Sequence, residues 1–158
     1  MKFFSFEDWH GLQTDRDNAR DLERAKAYKQ YLTNLKPQLP ANMLAFIETI
    51  DLKQANVTGI EVDLTAYTCT MDWHAYESCC EPEDSRKFIT VCYTDLESFV
   101  VSTSKLNSLP GKGGLGDIGA DEIASNNDGT FTHELLFSSG ILITIRFRSF
   151  VWRYGNAE

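Results

Sequence analysis

A run of alternating apolar residues, Phe131 to Trp152 (FTHELLFSSGILITIRFRSFVW), limits what this chain can fold into more than any other stretch. Ser138-Ser139-Gly140 divides it, and glycine readily takes the positive φ that a tight three-residue hairpin loop needs. Beyond the break, Ile141, Ile143, Ile145 and Phe147 alternate with Leu142, Thr144, Arg146 and Arg148. That is the period of a strand with one strongly apolar face. Pairing Phe137 with Ile141 sets Leu135 opposite Ile143 and His133 opposite Ile145, so both arms turn their apolar side chains the same way. The run predicts the central hairpin of an antiparallel sheet.

Upstream, the period is first helical. Ser5 can cap a short helix in which Phe6 and Trp9 share a face, and Thr14 or Asp15 a longer one to about Lys36. In the longer helix Ala19, Leu22, Ala25, Tyr28, Leu32 and Leu35 keep the 3.6-residue spacing. Pro37 and Pro40 end it, and Pro40 opens a third helix through about Ile50, with Met43, Leu44, Phe46, Ile47 and Ile50 on its apolar side. Near Val57 the period becomes two. Ile60, Val62 and Leu64 form one strand face, a turn follows at Thr65 to Thr68, and Cys69, Met71 and Trp73 form the next. After a polar loop, Ile89, Val91 and Tyr93 belong to a strand over Phe88 to Thr94. Matching apolar faces pairs Met71 with Val91 and Trp73 with Ile89; Cys69 and Cys92 then face opposite ways, which excludes a disulfide between them. In Asp95 to Ser104, Leu96, Phe99 and Val100 fit a helical turn while Phe99, Val101 and Thr103 fit a strand, and extended structure is the favoured reading. Residues 105–129 read as a long surface loop with a short ordered piece at Asp117 to Ile123, and five glycines between Gly111 and Gly119 predict a mobile, dispensable segment.

These readings combine into a single α+β domain over residues 1–158, with helices at about 5–50, sheet at about 56–153 and the Gly-rich loop at about 105–129. The expected architecture is N-terminal helices packed on one face of a five- or six-stranded antiparallel meander. A chain of 158 residues can bury a sizeable core without metals or disulfides. The formal charge of −8, from 15 basic and 23 acidic residues, argues against a nucleic-acid-binding module, which carries a basic patch. It suits a basic partner, although solubility alone also explains it. No segment reaches the roughly 18 apolar residues of a membrane span. Met1-Lys2-Phe3-Phe4 starts like a signal peptide, but Glu7 and Asp8 end its apolar run early. Four cysteines without framework spacing fit a reducing compartment, so the expected location is the cytoplasm.

Few residues point to chemistry. Gly111-Lys112-Gly113-Gly114-Leu115-Gly116 spells the dinucleotide-binding G-x-G-x-x-G, yet Leu109-Pro110 precedes it and acidic residues follow without an amphipathic helix, so a plain loop is the better reading. No Gly-Lys-Ser/Thr closes a phosphate loop and no G-x-S-x-G elbow occurs. No cofactor is expected. His74, Cys79 and Cys80, with nearby carboxylates, are the ligand types zinc uses, although vicinal thiols rarely both reach one ion and a polar loop explains them as well. His133 falls on the apolar side of the hairpin. A buried imidazole there is a hydrogen-bonded core residue or, alternatively, a general base lining a pocket. Arg146, Arg148, Phe150 and Trp152, with Arg153 beside them, stand together by alternation on the outer face of the last strand. Arginine with aromatics is the composition of a binding hot spot, unless the arginines pair with Glu61, Asp63 or Asp72.

His133-Glu134-Leu135-Leu136-Phe137-Ser138-Ser139-Gly140, followed by the alternation from Ile141 to Phe147, resembles the closing hairpin of small bacterial cytosolic proteins of the domain-of-unknown-function class. Some of these sit among toxin-immunity loci. They begin with a short aromatic segment and helices and enter the sheet through a His-Asp-Ala-like step; here Lys53-Gln54-Ala55 stands at that step. The resemblance implies a fold more than a function. Together with the negative charge and the absence of a coherent catalytic set, it points to a non-enzymatic protein-binding domain, immunity-like or inhibitory, with a basic protein partner or self-association. The alternative is a metal-binding protein or small hydrolase using His74, Cys79 and Cys80, or a pocket around His133.

Overall fold

The computed structural model describes residues 1–6, 18–77, 86–103 and 114–155. Helix α1 spans Asn18–Leu35 and passes through a 3-10 turn, Lys36–Gln38, into α2, Ala41–Thr49. Pro37 suits the start of the turn, where its missing N–H costs nothing. Pro40 caps α2, its carbonyl accepting the N–H of Met43 and of Leu44 at 3.0 Å each. The apolar stripe of α1 is buried over only part of its length. Leu22 and Ala25 are exposed; Tyr28, Tyr31 and Leu32 are half-buried and Leu35 is buried.

Eight strands follow: β1 (Ile50–Asp63), β2 (Thr68–Glu77), β3 (Lys87–Thr94), β4 (Ser98–Thr103), β5 (Ile118–Ser125), β6 (Phe131–Phe137), β7 (Ile141–Phe147) and β8 (Ser149–Tyr154). They form two four-stranded antiparallel sheets, β1-β2-β3-β8 and β4-β7-β6-β5. The molecule is α+β as expected, but the single meander of five or six strands is wrong, for three local reasons. β1 begins at Ile50 rather than near Val57, and its alternation is broken by two register shifts and by Gln54 at φ 65°. β5 lies inside the stretch read as a surface loop. Its partner is β6, with Ile123 opposite His133 and Asp121 opposite Leu135. Finally, Arg148 interrupts the last run, so β7 and β8 belong to different sheets.

The central hairpin keeps its expected register, with His133 opposite Ile145 and Leu135 opposite Ile143. So does β2–β3, with Met71 opposite Val91 and Trp73 opposite Ile89. Cys69 is buried, Cys92 half-buried, and both are free thiols. The cover over the hairpin, however, is the other sheet and not the helices. Rings from the two sheets meet across the interior: Trp73 with His133 (6.5 Å, near-parallel), Tyr93 with His133 (5.9 Å) and Tyr93 with Phe147 (4.9 Å). The helices close the flank instead, α1 against β5 and α2 against β1 and β8. Met43 and Phe46 of α2 are buried, and the Phe46 ring meets Phe150 and Trp152 edge-on.

The sheets join at a corner. β3 runs into β4 through Asp95–Glu97 while β7 runs into β8 through Arg148, so Thr94 pairs with Ser149 in one sheet and Ser98 with Arg146 in the other. The opposite side is tied by an isolated bridge between Asn56 and Asp117. Glu122 and Glu134, paired directly across β5 and β6, would repel as like charges. The N-terminal arm offsets this: the backbone N–H groups of Lys2, Phe3 and Phe4 donate to the Glu122 carboxylate at 2.7–2.8 Å, and the Met1 amino group meets Glu134 at 2.9 Å. No helix among the described residues is long and apolar enough to cross a membrane.

Candidate functional site

Between the sheets the core holds a polar cluster. His133 is 1% exposed, and its Nδ1 lies 2.8 Å from the Tyr93 hydroxyl. Burial pushes the Tyr93 phenol well above its ordinary pKa, so the hydroxyl keeps its proton, and which of the two groups donates in this bond follows from the imidazole tautomer. Nε2 points to Asp121 Oδ2 at 3.5 Å, too long for a hydrogen bond, and has no partner among the described residues. Trp73 Nε1 is likewise buried and unpartnered there. A Tyr-His-Asp series resembles a catalytic relay, but Tyr93 is enclosed in the core and cannot reach a substrate.

Asp121 in turn lines a cavity of about 110 Å³ beneath the helices, together with Tyr28, Leu32, Phe46, Ile47, Ile50, Asp51, Leu52 and Ile123. The Tyr28 hydroxyl accepts the Ile123 N–H at 2.9 Å, which fixes α1 to β5. Burial, then the Asp121 charge, raises the Tyr28 phenol far above its ordinary value, so it stays neutral. A larger hollow of about 660 Å³ lies where β2, β3 and β8 meet Thr58 of β1. It is more open to solvent, and Asp72, Thr90 and Arg153 contribute to it.

The expected arginine–aromatic patch does not exist as one surface. Arg148 is an extra residue at the corner, and an extra residue inverts the alternation that follows it. Phe150 is therefore buried opposite Tyr93, and Trp152 turns under α2, where its Nε1 donates to the Asn42 carbonyl at 3.1 Å. Arg146 and Arg148 remain outside but are paired, and not with Glu61, Asp63 or Asp72. Glu97 bridges both, at 3.0 Å from Arg146 and 2.6 Å from Arg148, while Arg146 also holds Asp128. They tie the corner to the β5–β6 turn.

His74 stacks on Phe88 at 4.2 Å, an ordinary cross-strand pair. Cys79 and Cys80 lie outside the described residues, as do His10 and Gly111–Gly113. Among the described residues no three His, Cys, Asp or Glu side chains converge as metal ligands. The far end of the glycine stretch is ordered and packed. Gly116 has φ 76° and sits against the Ser138 hydroxyl, which accepts the Asp117 N–H at 3.1 Å, while Ser138 N–H donates to the Asp117 carbonyl at 2.8 Å.

One surface feature escaped the sequence reading. Leu64, counted there with the strand face, sits in the β1–β2 turn and is 76% exposed; Tyr67, at φ 53°, is 63% exposed. The turn is rigid. Asp63 Oδ1 accepts from Thr65 N–H, Thr65 hydroxyl and Ala66 N–H at 2.5–3.0 Å, and the Tyr67 carbonyl accepts the Leu96 N–H at 2.8 Å. An aspartate at a strand end followed by threonine is the signal for such a turn. Compared with protein-family models and with curated proteins, the chain matches none.

Proposed function

We propose that this chain is a non-enzymatic protein-binding domain, immunity-like or inhibitory in action, that docks a basic protein partner through the tip of the β1–β2 hairpin. The observation that carries the reading is the rigid presentation of Leu64 and Tyr67 in solvent, flanked by the exposed carboxylates of Glu61 and Asp63. Large side chains held out in one conformation lose little entropy on binding. Acidic neighbours on a chain of net charge −8 steer a positive surface toward them and accelerate encounter. The likeness of the closing hairpin to proteins of immunity loci supports the same reading, and the cytoplasm is the compartment we assign.

The test begins with a partner recovered from the native host and made recombinantly. Leu64→Ala and Tyr67→Ala should each weaken its binding at least about tenfold, as truncation of interface anchors does. Raising the salt concentration should slow association with little change in dissociation. A partner that binds wild type and both variants equally would remove the tip from the interface. A wild-type dimer that both variants dissociate would show that the tip serves self-association, and would overturn the basic-partner reading.

A further inference from the structure

We propose that the cavity beneath the two helices is a binding site for a small primary alkylammonium group, with the Asp121 carboxylate as its counter-ion. Three observations converge on that chemistry. The first is charge: among the described residues the lining holds two carboxylates, Asp121 and Asp51, and no lysine or arginine. Among the described residues, neither oxygen of Asp121 accepts a hydrogen bond. A carboxylate on an apolar wall favours a cation that supplies both charge and donors.

The second is the imidazole behind it. His133 is 1% exposed and its Nε2, unpartnered, faces Asp121 Oδ2 at 3.5 Å. Tyr93 and the stacked Trp73 hold the ring in that direction. In the tautomer that carries its proton on Nε2, movement of the carboxylate by a fraction of an ångström would complete a short hydrogen bond and leave its outer oxygen for the ligand.

The third is shape. The remaining wall is aliphatic and aromatic: Leu32, Ile47, Ile50, Leu52 and Ile123 with the rings of Tyr28 and Phe46. A methylene chain is matched by the first group, and an ammonium by the second through cation–π attraction. A cavity of about 150 Å³ holds the six heavy atoms of benzene; in proportion, 110 Å³ suits about four to five, the size of propylammonium or butylammonium. The same group occurs in a free amine and at the end of a lysine side chain.

Isothermal titration of the whole chain with n-butylammonium tests the proposal independently of the protein-binding reading. Saturable binding is expected, at least tenfold tighter than that of 1-butanol, which is uncharged and of equal length. Asp121→Asn should weaken the amine at least tenfold and leave the alcohol unchanged. Nα-acetyl-lysine N-methylamide distinguishes the sources: binding as tight as the amine assigns the site to a lysine side chain, and exclusion assigns it to a free amine. Absence of saturable amine binding would overturn the proposal. So would equal binding of amine and alcohol, or an Asp121→Asn chain that binds the amine as wild type does. If that variant does not fold, the amine–alcohol comparison on the unaltered chain decides.

Discussion

Single residues carry much of the unusual chemistry here, and Glu122 is the clearest case. Buried at β5, it accepts three backbone N–H groups from the N-terminal arm. Glu122→Gln keeps the shape but removes the charge, and should cost about 1.5–3 kcal/mol in urea denaturation, the worth of hydrogen bonds to an ionised group. A change within error would mean that the arm contributes nothing to stability. Asp63 and Asp128 behave differently because both are exposed. Hydrogen bonds from Thr65 and Ala66 to the first, and from Thr130 to the second, lower both pKa values. A lowered folded-state pKa means that their stabilisation is present above the ordinary aspartate value of about 3.9 and is lost as pH falls through the lower one. Carbon-detected NMR should find both carboxyls titrating below that value; an ordinary midpoint at Asp63 would show a loose turn. Cys69 should resist alkylation in the folded chain, since burial pushes its thiol up to about 12. At this scale His133 was legible, because alternation placed it on the isoleucine side. Asp121 was not: in Gly-Ala-Asp-Glu-Ile nothing distinguishes the inward acid from its neighbour.

Among the elements, parity was readable wherever alternation ran unbroken. The β6–β7 hairpin and the β2–β3 pair have the registers their apolar residues demand. Ile143→Ala and Ile145→Ala, both fully buried, should each cost about 2–5 kcal/mol through lost burial and cavity formation. Thr144→Ala, facing outward, should cost under about 1 kcal/mol. Equal effects at the three positions would contradict the register. Alternation failed where one residue breaks its count. Gln54 conceals the start of β1, and Arg148 carries Phe150 and Trp152 from the outside, where parity put them, to the inside. β5 shows in the sequence only as a short ordered piece at Asp117 to Ile123, not as a strand, for another reason: its glycine and small residues give no strand period, and β6 supplies the order. Gly116→Ala tests how firmly. A methyl at φ 76° against Ser138 should cost about 1–3 kcal/mol, whereas a dispensable loop would tolerate it without change in melting.

For the whole molecule, the decisive feature is the corner at which two strands leave one sheet for the other. It is why four strands apiece enclose one core, and it lay beyond reach of the sequence because the pairing partners are far apart in the chain. Deleting Arg148 should return Phe150 to the outer face and abolish the cooperative melting transition; a deletion variant that melts as wild type would show that parity at the corner is not what seats Phe150. The same corner governs the order in which structure can appear. Thr94 and Ser98 wait for Ser149 and Arg146, and closing so long a loop must precede any reward from the contacts it allows. Folding should therefore be slow, in the millisecond-to-second range of non-local β topologies. As the chain leaves the ribosome, β3 and β4 emerge before β8 and β7 are made. For that interval the uncharged Ser98–Thr103 strand, an end strand of its sheet even in the finished fold, has neither edge paired and is open to any passing chain.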